Sequence, residues 1–229
     1  MSLQDKFGEC AQATASALIM HRHAQVHPIP PFDDWTGFNL MVDEMERLGL
    51  WLIYDMRWSA LPLHCSSRLL TQVPRSYMNA TSVTEQVTSL MSRTNLLMYY
   101  TADEPDGSHD PHWAPADAAT LINSLDPYRP SSLCLNCQDF IFNHYAAGTP
   151  ILMIDVYPIG INPNYSSRYN TPCGPDQGCC GCDNCAGDFE DIRHRMNDFR
   201  MRLEVLGWER TKSIMTIPQG FGSQEYVDH

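Results

Sequence analysis

Residues 96–107 read LLMYYTADEPDG, and this stretch decides the fold. An apolar run stops at Asp103 and Glu104, and Pro105 and Gly107 then begin a turn. This order predicts a buried β-strand with two carboxylates at its C-terminal end. Burying an unpaired charge is costly. These two acids therefore either lie in a turn that is exposed to water or belong to a site that uses carboxylates, such as a site for acid/base catalysis.

Four other apolar runs end in the same way. They read LWLIYD at 50–55, SLCLN at 132–136, ILMID at 151–155 and SIMTIPQ at 213–219. Each is apolar over several consecutive residues, as expected for a strand covered on both faces. The polar residues that end them are Asp55, Asn136, Asp155 and Gln219. Since a (β/α)₈ barrel builds its active site at the C-terminal ends of its strands, this repetition predicts a barrel with one polar rim.

The segments between these runs have helical spacing. Apolar residues recur three and four positions apart in 38–48, 82–91 and 189–206. Ser82 and Glu85 fit a capping box at the start of the second helix. Gly49, Gly148 and Gly207 each precede a strand, where a left-handed glycine would end the helix. Alternating helices and strands predict parallel strands and the α/β class.

A chain of 229 residues has the length of one barrel domain. Only five strands are clear, with a further candidate at 14–21, and ten residues follow Gln219. We therefore expect a poorly defined segment at 1–34 and an incomplete (β/α)₈ TIM barrel at 35–229, with about five to six βα units. A smaller open α/β sheet is the alternative.

The charge of the chain argues against some partners. Fifteen Lys and Arg stand against 27 Asp and Glu, giving a net charge of −12. Nucleic acids and anionic membrane surfaces both attract basic patches, so neither is expected as a partner. The sequence contains no apolar stretch of the ~20 residues that span a bilayer, and its first residues lack a signal-peptide pattern.

Cysteines and glycosylation sequons indicate a secreted or extracellular parent protein. Five of the nine cysteines fall within residues 173–185, on a segment rich in glycine and proline. We expect a disulfide-stapled loop there, with a zinc site as the alternative. Two sequons begin at Asn79 and Asn164, both in predicted loops.

Taken together, six segments resemble fungal glycoside hydrolases of the (β/α)₈-barrel superfamily, similar to clan A. They read LGLWLIYDMRW, NLLMYYTADEPDG, LDPYRPSSLCLNCQDF, DVYPIG, CGCDNC and PQGFG, in this order between about residues 35 and 222. The resemblance implies carbohydrate-active chemistry, with Glu104 as general acid/base. The chain departs from the clan at Asp103, where asparagine is usual, and at Gln219, where the clan has its nucleophilic glutamate. Glutamine cannot form a covalent glycosyl intermediate.

These patterns give each rim residue an expected role. Glu104 is the proton donor, Asp103 holds substrate or tunes Glu104, and Asp155 or Asp55 is the second carboxylate. The expected substrate-binding residues are Trp58, Trp113, Asn136, Tyr157 and Gln219. No cofactor or metal is expected. The alternatives are a non-catalytic carbohydrate-binding barrel, an inactive hydrolase fragment, and a metal-dependent enzyme that uses Asp55, Asp103 and Asp155.

Overall fold

A computed structural model describes residues 25–26, 35–56, 79–107, 110–135, 141–160, 162–166, 170–172 and 185–219. The helices are α1 (Trp35–Arg47), α2 (Ala80–Leu90), α3 (Ala114–Leu125), α4 (Phe142–Ala146) and α5 (Glu190–Val205). The strands are β1 (Gln25–Val26), β2 (Trp51–Asp55), β3 (Leu96–Asp103), β4 (Ser131–Leu135), β5 (Ile151–Ile154), β6 (Tyr165–Ser166), β7 (Thr171–Pro172) and β8 (Ser213–Thr216).

Six strands form one parallel sheet in the order β1-β2-β3-β4-β5-β8. Neighbours in the sheet follow the order of the chain, as in a barrel wall, whereas a doubly wound sheet reverses its order. The short strands β6 and β7 pair antiparallel in a separate sheet. The expected α/β class and partial barrel are therefore confirmed. In the part of the chain that the structure describes, no pairing closes β8 onto β1.

Side chains alternate between the two faces of the sheet, as strand geometry requires. In β4, Leu133 and Leu135 pack outward with Phe199 and Leu203 of α5. Cys134 lies on the opposite face, in a cluster with the buried Ile53, Met98, Tyr100 and Met153 from neighbouring strands. This second face is the interior of the partial barrel, and its polar extension forms the candidate site.

The five strands expected from the sequence are all present, with bounds within three residues of the apolar runs. The candidate strand at 14–21 lies outside the described residues. The sequence does not indicate β1, because two residues are too short to form a pattern. Helix α4 precedes Gly148, where a helix is expected, whereas the sequence gives α3 no clear apolar spacing. The buried face of α3 includes Ala114, Ala118 and Ala119, and such small residues produce a weak apolar signal.

The capping box at Ser82 and Glu85 is wrong. Helix α2 begins earlier, and its N-cap is Asn79, whose Oδ1 accepts a hydrogen bond from the Ser82 backbone N–H at 3.1 Å. Ser82 is therefore the third residue of the helix, where its side-chain Oγ accepts from Gln86 at 2.9 Å. The sequon that begins at Asn79 lies at a helix start and not in a loop.

Two of the three glycines end their helices as expected. Gly49 has a φ of +71° and Gly207 of +70°, which an L side chain adopts only with strain. Gly148 has another role. A Cβ there would lie 2.5 Å from Cα of Ala116, so this glycine allows the end of α4 to approach the start of α3.

Two further findings concern secretion and membranes. Cys185 is disulfide-bonded, whereas the other four cysteines of the 173–185 loop lie outside the described residues. The expected disulfide staple within this loop therefore stays a prediction. Among the helices that the structure describes, none has the length and apolar character to cross a bilayer.

Candidate active site

The C-terminal ends of β3, β4 and β5 bring three side chains together. Asp103 and Cys134 are register partners in neighbouring strands, and Cys134 is in turn paired with Met153. Asp155 follows Met153 by two residues, so strand alternation returns it to the same interior face. The Cys134 Sγ and one carboxylate oxygen each of Asp103 and Asp155 all lie within 4.8 Å of one another.

Asp155 is the most deeply buried carboxylate of this group. Its exposure is 8%, and its Oδ1 has no hydrogen-bond partner among the described residues. Burial, followed by the negative charge of Asp103, raises the pKa of Asp155 to about 7, although a hydrogen bond from the Cys134 thiol opposes the rise. The thiol also lies 3.9 Å from the Leu135 carbonyl oxygen, a long contact even for sulfur. Asp155 therefore keeps a proton at pH values where exposed aspartates are ionised.

Asp103 has a different environment. It is only half-buried, and the Tyr100 hydroxyl donates a hydrogen bond to its Oδ1 at 2.5 Å. A donor of this kind favours the charged form of a carboxylate. Because the two acids interact, their protons belong to the pair rather than to either residue. Where Asp103 is ionised and Asp155 still holds its proton, the pair thus bears a single negative charge.

Glu104 occupies an unusual backbone conformation at the end of β3. Its φ is +44°, in the left-handed region that is sparsely populated by residues other than glycine, and its N–H donates to the Cys134 carbonyl oxygen at 3.0 Å. The Glu104 side chain is half-buried, and its charge contributes to raising the pKa of both Cys134 and Tyr157. Strained residues of this kind concentrate at functional sites.

The remaining expected site residues do not all lie beside the acids. Tyr157 lies beside the acids: burial raises its pKa first, and the charge of Asp155 contributes next. Trp113 is 48% exposed immediately before α3, so its ring is available to solvent. The Gln219 side chain is hydrogen-bonded to the backbone of Ile159. Trp58 and Asn136 lie outside the described residues.

Asp55 is buried but is placed deeper along the sheet than the acids of β3. It is the register partner of Tyr100, which precedes Asp103 by three residues. Within the described residues, the group of closely spaced acidic and thiol ligand atoms contains Cys134 but not Asp55. A thiol and two carboxylates at this spacing could hold a divalent ion, so the donor set of the metal-dependent alternative changes accordingly.

Cys134 is not among the site residues expected from the sequence. It is fully buried, as a core residue would be, but it faces the carboxylates. The available signal was alternation: Cys134 stands between two leucines that face the helices, so its own side chain faces the interior.

Comparisons with known proteins identify no family for this chain. Neither a family model nor a curated protein matches the sequence. Among solved structures, a GH2 β-galacturonidase from Eisenbergiella tayi bound to galacturonate is similar at 11% identity and a TM-score of 0.49, over 83% of this chain and 28% of that one. The chain thus spans less than a third of that enzyme's length.

Two further solved structures are similar over different shares of the chain. A GH5_18 protein from Streptomyces cattleya in complex with GlcNAc matches 59% of this chain and 42% of its own at 16% identity, with a TM-score of 0.39. A β-mannanase from the blue mussel Mytilus edulis matches 89% and 75% at 9% identity, with a TM-score of 0.42.

Proposed function

We propose that the chain is the catalytic part of a glycoside hydrolase-like protein that cleaves O-glycosidic bonds of a carbohydrate by carboxylate acid/base chemistry. One observation supports this proposal above the others. Asp103 and Asp155 come together with Cys134 at the carboxyl ends of the parallel strands β3, β4 and β5, where barrel enzymes have their active sites, and Glu104 directly follows Asp103. The resemblance of the six sequence segments to fungal glycoside hydrolases agrees with it.

In this proposal, Glu104 donates the proton to the leaving oxygen. It is only half-buried, so substrate can reach its carboxyl more readily than that of Asp155. Its left-handed backbone conformation and the hydrogen bond from its N–H to the Cys134 carbonyl oxygen fix the backbone position from which the Glu104 side chain extends. A fixed general acid of this kind typically contributes ~10²–10⁴ to the rate.

The Asp103–Asp155 pair supplies the second carboxylate. A glycosidic transition state develops positive charge on the sugar ring, and a singly charged pair beside it would stabilise that charge. Trp113 and Tyr157 would stack on sugar rings.

The test measures hydrolysis of two substrate types by the full-length protein. Glu104→Gln should lower the rate on a natural oligosaccharide by about 10²–10⁴. The loss should be much smaller on an aryl glycoside whose leaving group needs no protonation. Asp117→Asn, an exposed acid on α3, is the matched control and should leave both rates unchanged. Full activity of Glu104→Gln on the oligosaccharide would contradict the assignment.

Two alternatives give different results in the same assay. A carbohydrate-binding barrel would bind oligosaccharides without releasing reducing ends across a broad panel. A metal-dependent enzyme would lose activity on dialysis against a chelator and regain it with a divalent ion. Secretion, the 173–185 staple and glycosylation at Asn164 are part of the proposal, and mass spectrometry of protein secreted from its natural host tests all three.

A further inference from the structure

Gln219 forms a two-point contact with one residue far away in the chain. Its Nε2 donates to the Ile159 carbonyl oxygen at 2.7 Å, and its Oε1 accepts from the Ile159 N–H at 3.0 Å. The side-chain amide thereby satisfies both backbone groups of Ile159. Residues 155–160 have no regular secondary structure, so these groups need partners from elsewhere.

The Gln219 contact continues the pairing of β5 with β8 beyond the strands themselves. The backbone pairing ends where Ile217 N–H donates to the Ile154 carbonyl oxygen at 2.8 Å. Two residues further along, the Gln219 side chain bonds Ile159. The intervening segment, residues 155–158, leaves the sheet between these two fixed points. It contains the buried Asp155 as well as Tyr157.

A second element, the turn that contains Gly187, lies close to the same segment. Pro158 is buried, and its carbonyl oxygen lies 3.8 Å from where a Cβ on Gly187 would stand. The turn that contains Gly187 is held by Asp191, whose carboxylate accepts hydrogen bonds from the backbone N–H groups of residues 186, 187 and 188 at 2.8–2.9 Å. Proline also restricts the residue before it, which is Tyr157. The segment 155–158 is therefore held at one end by the β5–β8 pairing and at the other by Gln219, and Pro158 restricts Tyr157 between them.

We propose that Gln219 is a positioning residue, which fixes residues 155–158 and thereby holds the Asp155 carboxylate beside Asp103. In this role Gln219 neither binds a sugar hydroxyl nor stands in for a nucleophile. The structural part of the inference is independent of the reaction, whereas its catalytic consequence rests on the proposed glycoside hydrolysis. An amide suits this role because it offers one donor and one acceptor to a backbone that presents one of each.

This donor–acceptor match makes glutamate a pH-dependent replacement. In the ionised form of Gln219→Glu, the new carboxylate has acceptors only, so one oxygen would face the Ile159 carbonyl oxygen without a proton between them. In the protonated form, the new carboxyl has an O–H donor and restores both bonds. Gln219→Glu should thus behave like wild type at low pH and like Gln219→Ala at high pH. Gln219→Ala should be defective at both.

The first experiment needs no enzymatic activity. NMR measures the hydrogen exchange of the Ile159 amide and the titration of the Asp155 side-chain carboxyl in wild type, Gln219→Ala, Gln219→Glu and the exposed-amide control Asn123→Asp on α3. In Gln219→Ala we expect Ile159 exchange to rise by about tenfold or more, the change that loss of one hydrogen bond allows. We also expect the Asp155 titration to move toward the value of an exposed aspartate, because water gains access.

Gln219→Glu should show both effects above the pKa of its new carboxyl and neither below it, while the control shows neither at any pH. Unchanged Ile159 exchange and Asp155 titration in both Gln219 variants would overturn the proposal. If Gln219→Ala fails to fold, the comparison of Gln219→Glu at two pH values decides.

The second experiment measures kinetics on an oligosaccharide. Gln219→Ala should lower kcat with little change in KM, because the misplaced group acts on the reacting bond. A rise in KM alone would indicate a sugar contact, and a gain of activity by Gln219→Glu at neutral pH would indicate a vacant nucleophile position; either result overturns the proposal. If wild type cleaves nothing, the proposed function fails, and the NMR results still decide the role of Gln219.

Discussion

Asp103 and Asp155 have carboxylate oxygens within 4.8 Å of each other, yet the two side chains have opposite environments. The Tyr100 hydroxyl donates to Asp103, whereas Oδ1 of Asp155 is buried without a hydrogen-bond partner in the described part of the chain. When environments push the protonation of two nearby acids apart, one can hold a proton while the other stays charged. Four predictions and a pH profile test the consequences of this asymmetry and the fold that produces it.

Replacing Asp155 should stabilise the protein in a pH-dependent way. Its pKa is raised to about 7 in the folded state, so the folded state binds more protons than the unfolded state between about pH 4 and 7. Wild-type stability should therefore fall as pH rises through this window. Asp155→Asn removes the buried charge, and its free energy of unfolding should exceed that of wild type at pH 8, by at most on the order of 4 kcal/mol.

At pH 4 or below, Asp155→Asn and wild type should have nearly the same stability, because Asp155 is then protonated in the folded state and about half protonated or more in the unfolded state. Urea unfolding at pH 4 and pH 8 measures the difference. An Asp155→Asn variant that is less stable than wild type at pH 8 would show that the ionised carboxylate is well satisfied.

The hydrogen bond from the Cys134 thiol should keep the pKa of Asp155 lower than burial alone would set it. This hydrogen bond is the first cause that opposes burial, so Cys134→Ala should raise the pKa of Asp155 above about 7. Cys134→Ser keeps a donor at nearly the same place and should cause a smaller change. NMR titration of the carboxyl carbon measures both. Identical titrations in wild type and Cys134→Ala would exclude the hydrogen bond.

Two glycine substitutions should separate close packing from backbone strain. Gly148→Ala places a Cβ 2.5 Å from Cα of Ala116, so the helices must move apart, at a cost of about 1–3 kcal/mol or more. Gly49→Ala meets no atom within 4 Å, and its cost should come from the positive φ alone, about 1 kcal/mol. Thermal unfolding of both variants checks the order, and equal costs would contradict the close approach.

Loss of the Asn79 cap should destabilise α2. Its Oδ1 accepts the Ser82 N–H, which otherwise has no partner within the first helical turn. Asn79→Ala should lower the free energy of unfolding by about 1 kcal/mol, while Asn79→Asp, which keeps an acceptor and favours the helix dipole, should not. Equal stability of Asn79→Ala and wild type would show that the cap contributes nothing.

The parallel strands could be predicted from the sequence because their signal is local. Each strand is an apolar run that ends in a polar residue, and residues such as Asp103 and Asp155 mark the ends without knowledge of any contact. The close spacing of Asp103, Cys134 and Asp155 at the C-terminal ends of the strands depends instead on the register between strands. Which residue lies opposite Asp103 is set by β3–β4 pairing across about thirty residues, so Cys134 could not be recognised from its neighbours alone.

Gln219 illustrates the same limit. Its place at the end of an apolar run predicted a rim residue, and the resemblance then indicated a sugar contact or a lost nucleophile. Its contact with Ile159 joins residues 60 apart and involves only a backbone that any sequence would provide. Side-chain-to-backbone contacts of this kind leave no mark on the partner residue, and they become visible only with the fold.

The pH dependence of kcat/KM on an oligosaccharide, in wild type and Asp155→Asn, is the most direct test of the proposed role of the two aspartates. We expect wild type to hydrolyse the substrate and its profile to show an inflection at an apparent pKa of about 7, where Asp155 loses its proton. Asp155→Asn should lack this inflection. Absence of hydrolysis at every pH, or the same inflection in Asp155→Asn, would contradict that role.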